Sequence, residues 1–118
     1  MKLLPPSLRK RKRYIAFQII SARPVDVEGV REVLSSSLLK LYGALESPSA
    51  KLIEFRDGKG MIVCPHDELN KVKIALTLIK KIDGQDVIPV ILGVAGTIKS
   101  CRKKYLEVLE NANSANGI

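Results

Sequence analysis

Apolar residues fall into short runs along this chain, and the period of each run predicts a different element. Residues 13–21, RYIAFQIIS, are rich in β-formers and read as a first strand. Arg23-Pro24 ends it, because the residue before proline is pushed out of the helical region. Val27, Val30, Leu34, Leu38 and Leu41 then recur at helical spacing, with Asp26 as N-cap and Gly43 as closing residue. KLIEFR and GMIVCP flank Asp57-Gly58-Lys59, a hairpin signature, since Asp-Gly supplies the positive φ angles of a tight turn. A second helix is expected from Asp67 as cap, with Leu69, Val72, Leu76 and Ile79 on one face. Lys80 and Lys81 close that helix where its dipole favours cations. Asp83-Gly84 marks a turn before VIPVILGVA, a strand apolar on both faces. Pro89 cannot donate to a ladder, so this strand belongs at a sheet edge. Thr97 caps a last helix, running to about residue 112, with Ile98, Cys101, Tyr105 and Val108 inward.

The order β-α-β-β-α-β plus a terminal helix is the split, ferredoxin-like pattern shared with RRM-like domains. It implies an α+β fold with a four-stranded antiparallel sheet packed by helices. An antiparallel sheet with one wet face should alternate apolar and polar residues. Strand one does not: Ile15, Phe17 and Ile19 point one way and Tyr14, Ala16, Gln18 and Ile20 the other. Only Gln18 among them is strongly polar. The second sheet face is therefore expected to be covered, by the C-terminal helix or by a partner.

Charge changes the picture more than composition does. The 118 residues make one domain with an ordinary apolar share, and the net charge is +8. Residues 1–25 hold seven Lys or Arg and no acid, so nearly all the excess is N-terminal. Its core is a run at 9–13: Arg9, Lys10, Arg11, Lys12 and Arg13. Residues 1–12 read as a basic arm, 13–112 as the folded domain and 113–118 as a frayed tail. Such a local excess favours a polyanion, and no apolar run is long enough to span a membrane. Cys64 and Cys101 read as two buried thiols of an intracellular, cytoplasmic protein.

A second cationic cluster lies at Gly96, Thr97, Lys99, Arg102, Lys103 and Lys104. Gly96 permits close approach of a phosphate, and the helix start offers unpaired N–H groups to an anion. Lys99, Arg102 and Lys103 share a helix side. RNA-recognition motifs read bases by stacking them on sheet aromatics. Here the third strand has none, and Phe17 suits the core, so charge and shape must hold the polyanion. Catalytic signals are poor. His66 is the single histidine and suits a cap, and Cys64-Pro65-His66 lacks the companions of a zinc site. An acylphosphatase-like reading, with Arg23 in the phosphate loop, fails because that loop has no glycine and no asparagine sits on a strand.

RKRYIAF, LLKLYG, LIEFRDGKGMIVCP and GVAGTIKSCRKKY, in that order over about residues 8–109, resemble the archaeal ribonuclease P protein component 2 family. The resemblance implies a non-catalytic subunit of the ribonucleoprotein that removes the 5′ leader from precursor tRNA. The RNA with its Mg2+ ions would be the catalyst, and the protein would hold no cofactor of its own. Implied partners are the catalytic domain of ribonuclease P RNA, a protein subunit of TIM-barrel-like fold, and precursor tRNA through the complex. The alternative is a stand-alone structured-RNA-binding domain associated with the ribosome. A small-molecule-binding regulatory domain gives no reason for the basic arm.

Overall fold

The computed structural model describes residues 11–107. Its elements are β1 (Lys12–Ser21), α1 (Val27–Glu46), β2 (Lys51–Arg56), β3 (Lys59–Pro65), α2 (Leu69–Thr77), β4 (Lys81–Ile82), β5 (Gln85–Ala95) and α3 (Ile98–Cys101). A 3-10 turn, His66–Glu68, leads into α2, and a π-helical segment, Arg102–Glu107, continues α3. All pairings are antiparallel, in the order β2-β3-β1-β5-β4.

The expected four-stranded sheet therefore gains a fifth strand. Asp83 (φ 51°) and Gly84 (φ 80°) both take positive φ, which folds residues 81–86 into a two-residue hairpin. Asp57 (φ 55°) and Gly58 (φ 81°) make the same turn between β2 and β3. The second hairpin takes chain that the sequence reading gave to a helix. α2 stops at Thr77, and Lys81 pairs with Asp86 on β5. Asp67 is likewise no cap of α2: Pro65 starts the 3-10 turn, and Glu68 precedes α2 without a side-chain cap bond. Asp26 stands at the N-cap of α1, also without that bond. Gly43 (φ 74°, ψ 173°) interrupts α1, and one more turn follows it.

β5 is not the edge strand expected, since β4 lies outside it, yet Pro89 itself stands beyond the two residues that β4 pairs. Ile19 sends its N–H to the Gly58 carbonyl at 2.7 Å, on the β3 side. The Ile19–Pro89 pair is thus not hydrogen-bonded, and the donor that proline lacks would point away from β1. β4 covers that side only at Gln85 and Asp86.

The core lies between the sheet and α1 and α2. Ile15, Phe17, Ile19, Leu52 and Ile62 meet Val30, Leu34, Val72 and Leu76. Burial of each such side chain stabilises by about 1.5–3 kcal/mol. Ser37 donates to the Ala75 carbonyl (2.8 Å) and Tyr42 to that of Lys71 (3.0 Å), tying the two helices together. A second, smaller cluster fills the other sheet face: Ala16, Met61, Ala95, Cys101 and Leu106, with Tyr14, Leu92 and Tyr105 against it. The chain's own C-terminal segment therefore covers the face that strand one left apolar. Among the described residues no helix is long and apolar enough to cross a membrane.

Candidate nucleic-acid interface

The two cationic segments singled out from sequence meet at one end of the sheet. β1 pairs Tyr14 with Ala95, so the start of β1 and the end of β5 lie side by side. Cys101 Sγ reaches the Tyr14 carbonyl at 3.6 Å and holds α3 over β1. A Cβ on Gly96 would stand 4.0 Å from Arg13 Nη1, so the Arg13 guanidinium is within reach of the α3 start.

The basic run is anchored at its inner end. Arg11 accepts the His66 N–H on its carbonyl at 2.8 Å, with His66 Nδ1 at 3.3 Å. Lys12 and Arg13 belong to β1, opposite Pro65 and Cys64, and Arg13 Nη1 donates to the Lys12 carbonyl at 3.0 Å. Arg11 and Lys12 are exposed and Arg13 half-buried. Arg9 and Lys10 lie outside the described residues.

At the second cluster, Thr97 accepts the Ser100 N–H at 3.1 Å, a side-chain cap as expected. That bond takes one of the helix-start donors proposed for an anion. Gly96, Thr97 and Lys99 are exposed, as are Lys103 and Lys104. Arg102 instead spans the sheet to an ion pair with Glu54 of β2. It serves here as a tie as well as a charge. The inward set differs from the helical expectation because the π-helical segment widens the turn after Cys101. Leu106, five residues on, is buried, Tyr105 is half-buried, and Ile98 is 36% exposed. Val108 lies outside the described residues.

The aromatics do not form a base-reading platform. Phe17 is fully buried and stacks on Phe55 with centroids 6.0 Å apart. Both cysteines are buried and free. Burial, aided by Glu68, pushes the Cys64 thiol up to about 11. Burial and then Glu54 do the same for Cys101, against the opposing pull of Arg102. Neither is a nucleophile near neutral pH. Among the described residues no cluster of three metal-binding side chains occurs.

The sequence reading passed over Lys51. A bulge in β2 pairs Leu52 with Ile62 and Glu54 with Met61, leaving Ile53 as the extra residue. Lys51 then falls opposite Val63, on the sheet face of Tyr14 and α3. The signal was the spacing of Leu52 and Phe55: both pack into one core three residues apart, which a regular strand cannot do.

Comparison with known proteins gives a consistent result. The model of the Rpp14/Pop5 family matches residues 13–106. Ribonuclease P protein component 2 of Archaeoglobus fulgidus is 49% identical over 109 residues, covering 92% of this chain and all of that protein. The protein of the same name from Pyrococcus furiosus is 38% identical, covering 89% of this chain and 91% of its own. A chain in the cryo-EM structure of yeast ribonuclease MRP shares the fold, with a TM-score of 0.64 at 15% identity. That match covers 92% of this chain and 95% of the yeast chain.

Proposed function

The chain belongs to the Rpp14/Pop5 family, and on that premise we propose that it is a protein subunit of ribonuclease P that binds and stabilises the catalytic RNA. The observation that carries this reading is the Tyr14–Ala95 pairing, which sets the basic run at 11–13 beside the start of the helix that carries the exposed Lys99, Lys103 and Lys104. Phosphates that crowd together in a folded RNA repel one another. A fixed row of cations lowers that cost and releases counterions. The protein then supplies counter-charge and shape, and less Mg2+ is needed to reach the active RNA fold. The same reading assigns phosphate contacts to Arg9 and Lys10. Arg102, paired with Glu54, holds the helix in place more than it adds free charge.

The proposed protein partner, a subunit of TIM-barrel-like fold, docks on apolar residues that the C-terminal segment leaves open. Ile20 and Ile88 face each other across β1 and β5 and are 48% and 62% exposed.

Reconstituted precursor-tRNA cleavage with and without this chain, at limiting Mg2+, tests the whole reading. The chain should raise the rate, and more so as Mg2+ falls. Replacing all five residues at 9–13 by alanine should flatten the log–log salt dependence of RNA binding by about 3 to 4, if most of the run touches phosphate. An unchanged slope rejects the run as an RNA contact. Binding of structured RNA without any effect on cleavage would favour the stand-alone RNA-binding domain instead.

A further inference from the structure

A cleft of about 240 Å³ opens at the same end of the sheet, lined by Lys12, Ser49, Lys51, Val63, Cys64 and Pro65. Strand register explains its lining. Lys12 stands opposite Pro65, and Lys51 opposite Val63, so two lysines flank two apolar side chains on one sheet face. Cys64 has the other parity and points into the core, so it contributes backbone. Lys12 and Lys51 are exposed, and neither pairs with a carboxylate among the described residues. The acid on this side, Glu68, accepts the Ser49 N–H at 3.2 Å.

We propose that this cleft seats one unstacked nucleotide of a bound RNA, its base against Val63 and Pro65 and its phosphate between Lys12 and Lys51. This rests on the RNA-binding reading above and adds a specific subsite to it. Three features select the occupant. The two exposed ammonium groups, with no carboxylate partner among the described residues, favour an anion. The cleft lies below the roughly 300–1,000 Å³ that encloses a whole small molecule, so it takes one flat ring and leaves the rest outside. Lys12 belongs to the same basic run as Arg11 and Arg13, so the cleft adjoins the cations that an RNA backbone would already meet on that reading. Glu68 sets the polarity: the phosphate lies on the lysine side, and Ser49 Oγ is left to meet a polar edge of the base.

The test uses the full chain and ribonuclease P RNA transcribed with 4-thiouridine, and in a second preparation with 6-thioguanosine. After irradiation, crosslinks are mapped by mass spectrometry, while Lys51→Ala and Lys51→Arg are titrated across salt. The proposal expects crosslinks at residues 49–51 or 63–65. It also expects Lys51→Ala to flatten the salt slope by about 0.7–0.9, and Lys51→Arg to keep it. Wild-type slope in Lys51→Ala, with crosslinks confined elsewhere, overturns the cleft and leaves the subunit reading standing. A flattened slope with no crosslink from either base at 49–51 or 63–65 overturns the base seat. Failure of the wild-type chain to bind the RNA overturns both readings.

Discussion

Gly93→Ala gives the sharpest test of how the second sheet face is closed. Gly93 sits opposite Ala16 on β1, directly under the C-terminal segment. A Cβ there would overlap Cε1 and Cζ of the Tyr105 ring and stand 2.8 Å from Cδ1, closer than real Cβ atoms come. The ring cannot slide freely, because its hydroxyl reaches the Val94 carbonyl at 3.4 Å and the ring packs on the Ala16–Met61–Cys101–Leu106 cluster. Forcing one extra methyl into a packed site costs about 1–3 kcal/mol. For a domain near this size that is a drop in Tm of about 5–20 °C. The same substitution made beside Tyr105→Ala should reverse sign. With the ring gone, alanine is preferred over glycine in a strand by about 0.5–1 kcal/mol. Urea unfolding of the wild type, both single variants and the double variant yields the coupling directly. An equal cost for Gly93→Ala in both backgrounds would refute the argument, since the penalty would then lie in the backbone and not in the ring.

Two further outcomes follow from the same structure. Cys64 and Cys101 carry folded pKa values of about 11 against an ordinary 9.0, so the unfolded chain loses these protons first as pH rises. Their contribution to stability is complete below pH 9 and is lost by pH 11, about 2–3 kcal/mol for each thiol. Urea melts of Cys64→Ala and Cys101→Ala against wild type across that window should show the alkaline loss shrink with each substitution. Gly84→Ala should cost about 1 kcal/mol by the same measurement through backbone strain alone, since φ is 80° and nothing lies within 4 Å of the new methyl. A neutral Gly84→Ala would mean that the β4–β5 turn does not hold the conformation described.

Much of the fold was legible because it rests on short-range chemistry. Both Asp-Gly pairs announced their turns, and Thr97 announced its cap, since these features need only neighbouring residues. Strand one's failure to alternate correctly implied a covered second face. What hid was long-range. β4 is two residues long and carries no periodicity, so Lys80 and Lys81 looked like the end of a helix. The β2 bulge is visible only once Leu52 and Phe55 are known to share a core, and it alone decides which way Lys51 points. The widened turn at Arg102–Glu107 has no sequence signature, so helical spacing missed Leu106 as a core residue. Of the basic surface, the two clusters were visible as charge runs. Their adjacency was not, because it depends on the register between β1 and β5.

The covered face also bears on how a domain of this topology handles RNA. An RNA-recognition motif keeps its sheet open and stacks bases on the two central strands. Here the equivalent positions are Ala16 and Met61, both fully buried beneath Cys101 and Leu106. Opening that face would expose apolar surface and break the Arg102–Glu54 tie, and of the sheet residues in that cluster Tyr14 is the one aromatic it would uncover. On the proposed reading, contacts to RNA lie at the rim of the sheet, where strands end and side chains fan out, and not at its centre. At the rim the strand ends contribute Arg11, Lys12, Arg13 and Lys51, and the helix laid across the face adds Lys99, Lys103 and Lys104. The helix that blocks base stacking is thus also the element that carries cations to the edge. Losing it would remove both the cover and three of those seven charges, so stability and RNA affinity should fall together when the C-terminal segment is displaced. They should separate when only exposed lysines are changed.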